Sequence, residues 1–362
     1  MATHNFFVDP DVVAGDGSGT SFANAYSSLS AFEAGVGVGD NKADLTADGD
    51  IYKVYCRSLS GSDDDTTFVL DAYTTSATDF IEITGDAAEG GDFPTDGIFD
   101  DSKYVFHNND SAVNGLASRI NYVRYTKIQF KTTTTSGTKQ LLVFDAGIDA
   151  GNDIRISKCI FKGIPGGTGT SFAISAGDAS TLLTMWNCII TGFFISADPG
   201  FRGISFSGAT ANIYNCTVYK CGLGIARFNP ATVNVINCAV FNNDDDFFGV
   251  ITMTYSASDD DHTGDSATNV QITQSADDWA ALVVDAAGDD FNVTDVSSEL
   301  YQAGNGATPK SVFTDDIIGT TRDVVDLNWD IGAYEFVVVG GANPKGPLTH
   351  PLYGPFAGPI AC

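Results

Sequence analysis

The chain has 362 residues, with 46 acidic against 18 basic side chains and a formal net charge of −28; with no basic patch, it is not expected to take nucleic acid or an anionic membrane surface as a partner. No run of apolar residues reaches bilayer-spanning length, so no membrane insertion is expected. Of the 46 acidic residues, 41 are Asp and five are Glu; aspartate belongs to turns and glutamate to helices, and with 39 Gly this describes short strands joined by turns, an all-β chain.

Residues 1–20 lack a basic start followed by an apolar run, so no secretory signal is expected and synthesis in a cytoplasm is. A strand is predicted at 5–9. Asp9, Asp11 and Asp16 flank the Gly-rich turn after it. A turn bonding its own backbone is the first reading of these carboxylates, and calcium held by their oxygens is the alternative. Residues 27–34 form the one plausible helix, with Tyr26, Leu29 and Phe32 on one side as a cover for the first coil of a stack of strands. Weak strands come next at 51–56, 68–70, 80–83 and 104–106.

One phrase then recurs with a cysteine at its centre: Cys159, Cys188, Cys216 and Cys238, preceded by a copy centred on Ile128, at spacings of 31, 29, 28 and 22 residues. A repeat of this kind outranks other signals and indicates a solenoid. Positions −5 and −3 from each centre are apolar with mixed residues between, the period of a strand with one buried face. The centre and +2 are apolar again, but −3 to 0 is an odd step, so the chain must bend. In three copies the residue before the centre is Asn187, Asn215 or Asn237, and asparagine readily takes the left-handed backbone of a one-residue corner. A second row, Val143, Ile174, Ile204 and Ile225, keeps step with the first. Strand, corner and strand make the cross-section of a parallel β-helix, regular over about residues 120–245. Strands at 250–255 and 270–273 loosen the pattern, and residues 340–362 hold five prolines, an extended arm. The central cysteines are predicted to be free thiols in one inward stack.

The outward repeat positions carry Arg155, Thr184, Asn212 and Asn234, then Ser157, Trp186, Tyr214 and Ile236, with no carboxylate, so no catalytic residue is assigned. Carboxylates that could serve hydrolysis sit only in loops: residues 63–65, 244–246, and 259–261 beside His262. The four histidines, His4, His107, His262 and His350, show no ligand spacing to one another, so no cofactor beyond the calcium alternative is indicated. Trp186, Tyr214 and Ile236, with Ile160, Ile189 and Ala239 beside them, form an outward apolar stripe that needs a cover. The first expectation is the same stripe on neighbouring subunits of a homotrimer. The chain's own C-terminal segment and a stacked sugar are the alternatives.

The ends carry further motifs. Phe7-Val-Asp-Pro-Asp11 with the turn and Tyr26 after it, then Asp316-Ile-Ile-Gly319, Arg322 and Asp330-Ile-Gly-Ala-Tyr-Glu-Phe336, resemble the opening and closing motifs of the right-handed parallel β-helix repeat proteins, over nearly all of 5–336. The resemblance implies a right-handed single-stranded parallel β-helix; with the pattern read along the chain, the division is an N-terminal strand and helix cap at 1–45, the solenoid at 46–336 and a Pro/Gly-rich arm at 337–362, the arm being no part of the family pattern. That family includes polysaccharide-active enzymes, surface proteins and virion components. The expected function is a non-enzymatic bacteriophage virion surface protein, joined to other virion proteins by its C-terminal arm and able to contact host surface glycan. A tailspike-type polysaccharide depolymerase or a glycan-binding module is the alternative.

Overall fold

The computed structural model describes residues 2–337 apart from 13–16, 37–43, 72, 110–112, 135–136, 145–147, 150, 166–169, 195–199, 229, 261–267, 273–278, 280, 324 and 326. Asp16, Asp261, His262 and the arm beyond Val337 therefore lie outside the described residues.

Three parallel sheets of nine, eight and seven strands run the length of a solenoid, and successive turns of chain stack one strand on the next in each sheet. The repeated phrase supplies two of the sheets. Its first half forms Tyr122–Thr126, Asp153–Ser157, Leu182–Trp186, Thr210–Tyr214 and Thr232–Ile236, and its second half forms Gln129–Thr134, Ile160–Pro165, Ile189–Thr191, Thr217–Tyr219 and Ala239–Phe241. Between the halves, Lys127, Lys158, Asn187, Asn215 and Asn237 all have φ between 46° and 58°, the predicted left-handed corner. The odd step in apolar spacing comes from this one residue, which belongs to neither strand.

Cys159, Cys188, Cys216 and Cys238 are buried free thiols, and Ile128 heads their row. The amides of Cys159, Cys188 and Cys216 each point at the sulfur one coil on, at 3.4 Å. The amide of Cys238 points at Ser256 Oγ, 3.2 Å away. Ser256 follows Tyr255, another left-handed corner at φ 52°, so the phrase runs one coil further than the sequence reading carried it. Inside the solenoid Phe130 stacks on Phe161, with centroids 4.7 Å apart and planes 4° from parallel, and the core is continuous from Val8 to Met253.

The third sheet corrects the second row by one residue: Ile174, Ile204 and Ile225 are in register, but Leu142, not Val143, is their partner. A one-residue slip exchanges the faces of a strand, and here Leu142 is the fully enclosed residue. The predicted helix is Leu29–Val36, with Leu29 and Phe32 buried and Phe32 packed on Phe6 at 5.3 Å. A four-residue helix, Leu45–Asp48, precedes the first full coil and was not anticipated. No helix among the described residues is long and apolar enough to cross a membrane.

The largest difference from expectation lies after the last coil. An antiparallel pair, Val283–Asp285 with Asp290–Val293, folds back on the second sheet, and the described residues of 300–336 run along the corner of the solenoid. There Phe313 stacks on Trp186 with planes 10° apart and touches Tyr214, and Trp329 packs behind it at 5.3 Å. Ile236 joins this cluster, while Ile160, Ile189 and Ala239 pack with Ile317, Ile331 and Tyr334. The apolar stripe is thus covered by its own chain. Trp186, Tyr214, Ile236 and Ile189, first expected to pack between subunits, pack instead against residues of the same chain, Trp186 and Ile236 remaining partly buried.

Candidate functional site

The closing motif of the sequence is the fastening of this cover. Arg322 is buried and donates to Asn187 Oδ1 at 3.2 Å, to the Gly332 and Ala333 carbonyls at 3.1 and 3.2 Å, and to Glu335 at 2.7 Å. Burial pushes the Glu335 carboxyl up to about 7 against the pull of Arg322. Gly332, at φ 101°, presents its α-carbon to Thr217, where a side chain would stand 3.0 Å from Oγ1. These residues are structural.

Asp9 and Asp11 are also committed to the protein. Asp9 pairs with Arg57 Nε at 3.0 Å and accepts the Asp11 amide. Asp11 accepts from Ser58 Oγ at 3.0 Å and from both the amide and the hydroxyl of Ser60. Partial burial raises the Asp11 pKa, but these hydrogen bonds outweigh it and bring the carboxyl down to about 2. Each described oxygen the calcium alternative would have used already holds a protein donor.

Two of the acidic loops do meet. The run at 244–246 and the pair Asp259 and Asp260 follow the second-sheet strands of successive coils, and stacking brings them to an open recess of about 350 Å³ lined by Asn242, Asn243, Asp244, Asp259, Asp260 and Trp279. Beneath it Asp246, fully buried, accepts from Ser258 Oγ at 2.6 Å, the Asp259 amide at 3.0 Å and Asn243 Nδ2 at 2.7 Å. Its own amide donates to Asp260 Oδ2 at 2.6 Å. Burial raises the Asp246 pKa well above the carboxylate range, with the Asp259 charge adding to it, and burial raises Asp259 as well. Asp259 Oδ1 is buried with no hydrogen-bond partner among the described residues. Trp279 forms one wall, its ring 6.0 Å from Tyr219 and 6.3 Å from Phe241, and its indole N–H is buried without an acceptor among the described residues.

Sequence reasoning had the two acidic runs but not their meeting, nor Trp279. The 63–65 run is a separate matter: Asp63 and Asp65 converge on His107, a pairing invisible at 42 to 44 residues of separation.

The model of the right handed beta helix region matches residues 145–275 of this chain. No curated protein matches it. Among solved structures it is similar to a crystal structure of pectate lyase Pel9A, at 14% identity over 92% of this chain and 96% of that chain, with a TM-score of 0.31. The coils and their three parallel sheets are those of a right-handed parallel β-helix.

Proposed function

We propose that this protein is a non-enzymatic, glycan-contacting β-helix of a bacteriophage particle, with the recess beside Trp279 as its contact site. One observation carries the glycan part: the Trp279 ring lines the same open recess as the polar side chains of Asn242, Asn243, Asp244 and Asp260. Sugars offer an apolar C–H face to a ring and hydroxyls to amides and carboxylates around it. The particle part rests on the resemblance of the chain's two end motifs to a family that includes virion components.

Catalysis is a poorer fit to the same groups. Hydrolysis asks for two carboxyls that both reach the scissile bond; Asp246 is fully buried and sealed from substrate. The depolymerase reading is favoured only by the upward shift that burial gives both the Asp246 and the Asp259 carboxyl. A panel of bacterial surface polysaccharides, scored both by calorimetric binding and by new reducing ends or unsaturated sugars, separates the two. Binding without cleavage, weakened at least about tenfold by Trp279→Ala, is the expected result. Turnover would establish the depolymerase, and no binding across the panel, or binding unaffected by the substitution, would remove the recess from consideration.

A further inference from the structure

On the second sheet, away from the recess, three ligating side chains meet at a point. The backbone of Asp64 is pinned to the strand Val105–Asn108: its amide donates to the Val105 carbonyl at 2.9 Å, and the His107 amide donates back to its carbonyl at 3.0 Å. The Asp64 side chain turns inward, accepting from the Leu29 amide at 2.7 Å and the Tyr104 hydroxyl at 2.9 Å. Side chains alternate along extended chain, so its neighbours Asp63 and Asp65 both turn outward, to His107. Their oxygens lie 3.0 and 2.9 Å from His107 Nδ1.

The imidazole is oriented from its other side. Nε2 is 3.1 Å from Thr133 Oγ1, and donation there leaves Nδ1 with a lone pair. Nδ1 is shut from solvent, and a proton placed on it would point at neither carboxylate oxygen. A lone pair and two anionic oxygens about 3 Å apart repel one another unless something positive lies between them. Lys131 neutralises part of this charge: its ammonium is 2.7 Å from Asp63 Oδ2, the same oxygen that faces Nδ1, and 2.9 Å from Asp101, so Asp63 Oδ2 would be shared between the ammonium and an ion while Asp65 faces His107.

We propose that Asp63, Asp65 and His107 form a binding site for one divalent transition-metal ion that prefers six-coordination, such as Mn²⁺ or Co²⁺. The three ligand atoms lie within 4.8 Å of one another. Ligands about 2.1 Å from an octahedral ion are about 3.0 Å apart at adjacent vertices, against about 3.4 Å around a tetrahedral one. The observed separations from Nδ1 fit the former. One imidazole with two carboxylates suits the middle of the first-row series better than calcium, which takes oxygen alone. Asp65 is half exposed, which leaves a path in and vertices for water.

The test is titration of the full chain with Co²⁺, followed by its visible absorption bands, and with Mn²⁺, followed by loss of the free ion's paramagnetic signal. One equivalent per chain is expected, absent in His107→Ala and weakened at least about tenfold in Asp65→Asn, whose exposed side chain can change without loss of the fold. Absence of binding to the wild-type chain, or one equivalent retained by Asp65→Asn with undiminished affinity, would overturn the proposal.

Discussion

Replacing Arg322 by Met removes the guanidinium while keeping most of the apolar stem, and it tests whether the closing motif holds the cover on the solenoid. The side chain is 1% exposed, and its ion pair with Glu335 is 2.7 Å long. Its remaining donors go to the Asp315, Asp330, Gly332 and Ala333 carbonyls and to Asn187 Oδ1. Removing one partner of a buried pair costs about 3–5 kcal/mol, because the other charge and its acceptors stay buried. Glu335 modifies this figure. Its folded pKa, already about 7, would rise further without Arg322, so the carboxyl would be neutral at pH 5 and forced toward ionisation at pH 8. The loss should therefore grow between pH 5 and pH 8, and adding Glu335→Gln should restore part of it at pH 8. Urea unfolding followed by tryptophan fluorescence gives the magnitude, since the guanidinium lies 5.5 Å from the Trp329 ring. Limited proteolysis should cut first within 300–336 while the coils persist. A loss below about 1 kcal/mol, or a double variant less stable than Arg322→Met at pH 8, would refute the assignment of Arg322 as the fastening.

Tyr214→Asp with Ile236→Asp should release the same cover by placing two charges under Phe313, seen as rapid proteolysis of residues 300–336 with no change of mass by light scattering; a change of oligomeric state would return the stripe to an interface between subunits. Cys188→Ser should cost about 1–2 kcal/mol in urea unfolding, since a hydroxyl there can take the Cys159 amide as Ser256 takes that of Cys238, but it is smaller and more polar than the thiol. Asp259→Asn should raise stability at pH 7–8 and have no effect below about pH 4. Both Asp246 and Asp259 have folded pKa values raised above the unfolded value of about 3.9, so ionising them opposes folding as the pH climbs past it. An unchanged midpoint at pH 8 would mean that burial does not hold the Asp259 carboxyl above its unfolded pKa.

The coils were legible because their signal is periodic and local. An inward cysteine, a left-handed corner and alternation on either side recur at each turn, and a stack of turns repeats whatever one turn does. Where the period weakens, legibility fails by small steps. Val143 and Leu142 are both apolar, so nothing in the sequence chose between them until their neighbours in the sheet were known. Ser256 went unrecognised as a phrase centre because a hydroxyl replaces the thiol and Tyr255 replaces asparagine at the corner. The recess and the His107 cluster were hidden for another reason. Asp244 and Asp259, or Asp65 and His107, become neighbours only through stacking, and the length of the loops that separate them carries no information about which residues will face each other.

The corner residues show how the cover could have been read. A left-handed turn explains why asparagine is acceptable there, but lysine fills the same corner at Lys127 and Lys158 with φ 54°, so the turn alone does not select asparagine. What changes along the solenoid is what lies outside it. Lys127 faces Asp86, a residue of an early loop. Lys158, at the rim of the covered stretch, reaches Asp315 with its ammonium at 2.6 Å. Under the cover, Asn187 donates to the Asp315 carbonyl at 2.7 Å, Asn215 to those of Asp330 and Gly332 at 3.0 and 3.3 Å, and Asn237 exchanges bonds with the backbone of Asn305 at 3.0 and 2.8 Å. A buried corner cannot leave a lysine charge unpaired, whereas an amide donates and accepts at short range against extended chain. The change from lysine to asparagine at 187, together with the large apolar residues Trp186, Tyr214 and Ile236 at −2 on the same coils, marks where the solenoid stops facing solvent.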